Sequence, residues 1–145
     1  MPTNQYGIST TLADYAGHHV LVLWADGFPA PGDSEVWTWL GEDYTEFTAR
    51  NTKIITVTRQ NIDANRQFAD RFELIFDVLS DPDAHLIAEL KTKPVGTGKP
   101  EFCLINPVGK VVKWSLGQLL KTELEDLLSY LDSRRLIGDQ VPDVD

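Results

Sequence analysis

The stretch from Val20 to Asn51 constrains this chain more than any other. It reads as a buried strand (HVLVLWADG), a tight loop (FPAPGDSE) and a long helix (VWTWLGEDYTEFTARN). Val36, Leu40, Tyr44 and Phe47 recur at intervals of about three to four residues, the period of an amphipathic helix. Asp33 stands where that helix begins, facing exposed backbone N–H groups. A helix start at the carboxyl end of a strand concentrates partial positive charge on whatever side chain occupies it.

The rest of the chain alternates in the same way. KIITVT reads as a second strand ending near Thr58 and Arg59. Asn61 is placed to cap a helix whose apolar stripe is Phe68, Ala69 and Phe72. LIFDVL is a third strand, and SDPD is a cap and proline-first-turn signal for a helix holding Leu86, Ile87 and Leu90. EFCLI and KVVKW form a hairpin across NPVG. Thr122 and Glu125 make a capping box for a last helix striped by Leu124, Leu127, Leu128 and Leu131. Helices alternating with strands, then a hairpin and a helix, predict an α/β sandwich around a mixed sheet. No repeat or linker divides the chain, so one domain over residues 10–135 is expected, with flexible termini at 1–9 and 136–145.

Composition narrows the function. A net charge of −9 argues against nucleic acid and against anionic membrane, because phosphate binding needs a basic face. A single cysteine excludes an intramolecular disulfide and a Cys-x-x-Cys centre. No apolar run approaches about 18 residues, and MPTNQYGIST lacks the basic and apolar regions of a signal peptide. A soluble cytoplasmic protein is expected. His18 and His19 have no cysteine or third histidine nearby and read as solvated turn residues rather than metal ligands. Asp77, Asp81 and Asp83 could bind a cation or could cap and solvate the helix after SDPD. KTKPVGTGKP is no phosphate loop, since Lys99 precedes Pro100 and a strand follows. Neither a metal nor a cofactor is expected.

Four segments, and the order in which they fall, carry a resemblance: TLADYAGHHVLVLWADGFPAPGDSE, IITVTRQNIDANRQFADRF, VLSDPDAHLIAEL and EFCLINPVGKVVKW. Over roughly residues 10 to 132 the chain resembles peroxiredoxins of the AhpC/TSA (thiol-specific antioxidant) family, of the bacterioferritin-comigratory type. The resemblance implies a three-layer α/β/α thioredoxin-like fold with a mixed central sheet. It also implies a site of the form Pro-x-x-x-Thr-x-x-Cys, with a reactive cysteine at a helix start and an arginine nearby. Laid on this sequence, the cysteine falls on Asp33, the threonine on Ala30, the proline on Asp26 and the arginine on Lys99. A carboxylate holds negative charge at a helix end, but only a thiolate accepts oxygen as sulfenic acid. The site reads as a peroxiredoxin site with its chemistry removed.

Two accounts of Asp33 stay open. Aspartate is among the best N-caps, worth about 1 kcal/mol over alanine, and needs no further role. Alternatively, Asp33 and Lys99 form an ion pair where thiolate and arginine would meet, with Arg59 a further cation. Cys103 sits mid-strand between Phe102 and Leu104 and reads as a core thiol, with a redox role as the alternative. Three of the four tryptophans, Trp24, Trp37 and Trp39, lie close to this loop with Phe28. Trp37 and Trp39 point about 200° apart on a helix, so one of them is expected at the surface. Phe28, Trp37 and Trp39 are the candidate interface, for a homodimer through the active-site-loop edge or for contact with an active relative. A non-catalytic binding, dimerisation or regulatory module is the first functional reading. The second is a thiol-dependent peroxidase acting through Cys103 or a remodelled pocket.

Overall fold

The computed structural model describes residues 2–24, 34–83, 85–86, 102–115 and 121–137. Its strands are β1 (His19–Trp24), β2 (Thr52–Thr58), β3 (Asp77–Ser80), β4 (Phe102–Ile105) and β5 (Val111–Ser115). Its helices are α1 (Ser34–Ala49), α2 (Ile62–Arg71) and α3 (Lys121–Ile137), preceded by a 3-10 turn at Leu12–Tyr15. The sheet order is β3-β2-β1-β4-β5. β1, β2 and β3 run parallel, while β4 and β5 run antiparallel to their neighbours.

β1 is central and buried on both faces, which is why VLVLW is continuously apolar rather than alternating. Alternation along the strands then builds two cores. Leu21, Leu23, Ile54, Val78 and Leu104 face Trp37, Leu40 and Phe47 of α1, Phe68 of α2, and Leu124, Leu127 and Leu131 of α3. The steps β1 to β2 to β3 go the same way across the sheet, so right-handed crossovers put α1 and α2 on one side. Val20, Val22, Ile55, Val57 and Cys103 face the other side, where Tyr15 and Leu86 cover them. The expected α/β/α layering and mixed sheet are what the chain adopts.

Several elements end on identifiable chemistry. The Asn61 side chain accepts from Ala64 N at 2.8 Å, the expected cap of α2. That helix closes in a Schellman turn: Leu74 N–H reaches Ala69 O at 2.8 Å, Glu73 N–H reaches Asp70 O at 3.3 Å, and Glu73 takes φ +53°. The turn consumes Glu73 and Leu74, so β3 starts at Asp77, later than the LIFDVL run suggests. α3 starts at Lys121, which places Thr122 inside the helix rather than at its cap. In α1 the inward stripe is Trp37, Leu40 and Phe47, with Val36 at its shoulder instead of leading it. Arg50, just past α1, grips Asp132 of α3 through Nε (3.0 Å) and Nη2 (3.1 Å), a two-pronged ion pair between the helices.

The opening residues belong to the domain, which corrects the boundary drawn at residue 10. Thr3 and Ser80 exchange backbone hydrogen bonds of 3.2 and 2.7 Å along the outer edge of β3. Gln5, only 2% exposed, does the work of a peptide group there. Its Nε2 donates to Phe76 O at 3.1 Å and its Oε1 accepts from Val78 N at 2.8 Å. Asn4 Nδ2 and the Tyr15 hydroxyl both donate to Asp77, at 3.4 and 2.8 Å. An edge strand otherwise presents unpaired N–H and C=O groups; here the chain's own start pairs them.

The histidines also depart from expectation. His19 begins β1 and is 1% exposed, because strand pairing with Thr52 carries it into the sheet. His18 is half-buried and bonded to Asn51. Neither is a solvated turn residue.

Replacing Gln5 by alanine would strand Phe76 O and Val78 N–H at a buried edge. Orphaned buried groups cost about 1–3 kcal/mol each, so Gln5→Ala should lower unfolding free energy by about 2–4 kcal/mol in urea titration, with little change at the exposed neighbour Tyr6→Ala.

Candidate functional site

In a parallel sheet, ligand chemistry gathers where strands end and helices begin. Here that edge is set by pairing. β1 ends at Trp24 and β4 begins at Phe102, with Leu23 opposite Phe102. The chain therefore leaves β1 and enters β4 at the same edge of two adjacent central strands, and α1 starts after the first of these connections, at Ser34. Asp26, Phe28, Ala30, Asp33 and Lys99 fall in those connections, outside the described residues.

Around this edge a polar network closes the ends of β2 and β3. Thr58 Oγ1 donates to Asn65 Oδ1 at 2.6 Å and accepts from Gln60 N at 3.1 Å. Ser80 Oγ donates to Gln60 O, and Asp81 N donates to Thr58 O at 2.8 Å. Thr58, Asn65 and Asp81 are all buried. The Asp81 carboxylate accepts from His85 N at 3.0 Å and Leu86 N at 2.8 Å, the capping role expected of the SDPD segment. Asp77 has a different task, receiving Tyr15 and Asn4, and Asp83 is exposed beside His85 at 3.7 Å. The three carboxylates thus serve three separate partners. Among the described residues no group of three or more His, Cys, Asp or Glu is placed to hold a metal ion. Arg59 is exposed and donates to Pro82 O at 3.4 Å. Of this network, only the SDPD cap is legible in the sequence; the Thr58–Asn65 partnership gives no local signal, since it spans a strand end and a helix.

The aromatic residues divide. Trp37 is 4% exposed and meets Phe68 edge-on, with ring centroids 5.0 Å apart. It is core and is withdrawn from the candidate interface. Trp39 is half-buried and packs against the same core. Trp24 closes the end of β1 and lies 6.4 Å from Trp114, a partner on β5 that the reading of the loop did not include.

Cys103 is the chain's one sulfhydryl. It lies in β4 opposite Val22 on one side and Trp114 on the other, with no exposed surface. Its neighbours Phe102 and Leu104 face the helices, so alternation turns the sulfur to the opposite face, away from α1. Burial pushes its thiol pKa upward. A thiolate is the nucleophilic form. This side chain is held as a neutral thiol inside an apolar cluster.

A sequence model of the AhpC/TSA family matches residues 1–114. No curated protein sequence matches the chain. Solved structures do, at low identity. A bacterioferritin comigratory protein of Xanthomonas campestris, studied for alkyl peroxide reduction, superposes with a TM-score of 0.78 at 22% identity, covering 92% of this chain and 91% of that one. A PrxQ of Xylella fastidiosa gives 0.76 at 20% identity, over 93% and 87%. The peroxidoxin BcpB of Mycobacterium tuberculosis gives 0.74 at 17%, over 90% of each chain. The fold is shared with these proteins.

The buried thiol has a consequence for stability at alkaline pH. In the unfolded chain Cys103 ionises near pH 8.5, whereas in the folded chain it stays protonated. The stability difference is fully present below that pH and is lost as pH rises above it, by about 1.4 kcal/mol per pH unit at most. Unfolding free energies from pH 7 to 10 should therefore fall more steeply for the native chain than for Cys103→Ala.

Proposed function

The chain belongs to the AhpC/TSA family, and on that premise we propose that it is a peroxiredoxin-type protein without a peroxidatic thiol, working as a non-catalytic binding, dimerisation or regulatory module. The observation that carries this reading is the placement of the single cysteine. Peroxide reduction requires a thiolate sulfur to attack one peroxide oxygen. An S–O bond forms, the O–O bond breaks, and water or an alcohol leaves with the second oxygen. Cys103 supplies no such thiolate: it is buried, its pKa is raised by that burial, and it lies on the face of the sheet away from α1. By the family pattern, the reactive position belongs to Asp33, whose carboxylate oxygens cannot accept a further oxygen atom.

The remaining parts of the proposed site follow from the same alignment. Ala30 lacks the hydroxyl that would orient a peroxide, and Lys99 offers a point charge in place of arginine's planar fork. An Asp33–Lys99 ion pair would keep the electrostatics of the site while removing turnover. Phe28 and the half-buried Trp39 are the proposed contact for a second copy of this chain or for an active relative. No helix among the described residues is long and apolar enough to cross a membrane, and we place the protein in the cytoplasm.

Family membership favours one other reading, a thiol peroxidase using Cys103 or a remodelled pocket. Consumption of hydrogen peroxide and of an organic hydroperoxide, with thiol reductant, separates the two. The native chain should show no turnover above background. Turnover that Cys103→Ser abolishes would establish the peroxidase reading instead. The double variant Asp33→Cys, Ala30→Thr should gain weak activity at most, because Asp26 and Lys99 still depart from the family pattern.

A further inference from the structure

At the opposite edge of the sheet from the site above lies a cleft of about 450 Å³. Its floor is the start of β1 and the end of β4, where Val20 pairs with Ile105. The 3-10 turn contributes Leu12 as one wall, and the turn between β4 and β5 contributes Val108 as the other. We propose that this cleft binds a small neutral molecule with an apolar body and one hydroxyl or N–H donor, a phenol being the simplest example.

The walls are built in advance of any ligand. Gly17 N donates to Pro107 O at 3.1 Å, tying the two rims together. The Asn106 side chain accepts from Val108 N at 3.2 Å and Lys110 N at 2.8 Å, and Gly109 turns the chain at φ +90°. A pocket of this size with mostly apolar walls and a few fixed polar groups suits a small molecule, typical sites spanning about 300–1,000 Å³. Val108 is 71% exposed on the rim, apolar surface that an occupant would cover.

The polar group is His18, and its tautomer is set by the structure. Asn51 Nδ2 donates to Gly17 O at 2.9 Å, which turns Asn51 Oδ1 toward the histidine ring. Oδ1 lies 2.6 Å from His18 Nδ1 and accepts its proton. With the proton on Nδ1, the lone pair of an uncharged ring lies on Nε2, so His18, which lines the cleft, can serve a ligand there as an acceptor. A ligand must bring the donor. The chain's net charge of −9 disfavours an anion, and the described lining residues include no carboxylate to pair with a cation, which favours a neutral hydroxyl or N–H compound. The arrangement shares no residue with the family's peroxide site, which lies where β1 ends rather than where it begins.

Amide and imidazole NMR titration of the full-length protein with p-cresol, and with toluene as its donor-free counterpart, tests the proposal. p-Cresol should shift the amide signals of Val20, Ile105 and Val108 and the His18 Nε2 resonance, and should bind about fivefold tighter than toluene, the effect of one net hydrogen bond. His18→Phe should erase that preference, and Val108→Asp, on an exposed turn, should weaken both probes. Shifts confined to other regions, equal affinity for the two probes, or a preference that survives in His18→Phe would each overturn it. If His18→Phe does not fold, an unchanged affinity in Val108→Asp would overturn it equally.

Discussion

Everything in this protein hangs on β1 being paired on both sides and buried on both faces. Parallel pairing with β2 fixes where α1 must cross, and antiparallel pairing with β4 fixes which residues lie opposite. Once Leu21 and Leu23 face the helices, Val20 and Val22 must face the other core, and the register with β4 carries Cys103 to that second core. The burial of the thiol is therefore a property of sheet register, not of a local shield that one substitution would remove. Shifting the sulfur to the helix-facing side would need a one-residue slip of β4, which would invert its whole apolar pattern.

The same pairing separates the molecule's two edges. At one, strands end, α1 begins and the polar network of Thr58, Asn65 and Asp81 seals the sheet. At the other, the 3-10 turn and the β4–β5 turn hold an open cleft around His18. The family's chemistry belongs to the first edge. On the proposed reading, with Asp33 in the reactive position, the scaffold would be free of the constraint of turnover and could serve binding at either edge.

How much of this was legible depended on the range over which each residue finds its partners. β1, β2 and the Asn61 cap follow from local apolar runs and local capping chemistry, and both were read directly. Cys103 was read as core because its neighbours are apolar. Trp37 was misjudged because its inward direction depends on Phe68, which lies on another helix. The arm at residues 2–10 was missed for a similar reason: Gln5 pairs with β3 through its side-chain amide, over seventy residues away, and no periodicity announces that. His19 looked like a polar turn residue, yet strand register buries it. The start of β3 slipped because Glu73 adopts a left-handed cap that few non-glycine residues take. The proposed role of Asp33 rests on resemblance alone, since no local physics distinguishes it from an ordinary helix cap.

The account rests on Cys103 remaining a neutral, enclosed thiol in the folded protein. Intact-mass and peptide mass spectrometry of the native chain after exposure to dilute hydrogen peroxide reads this directly. The account predicts an unmodified Cys103 under conditions that oxidise the same residue in the urea-unfolded chain. Rapid formation of sulfenic or sulfinic acid at Cys103 in the folded protein would contradict it.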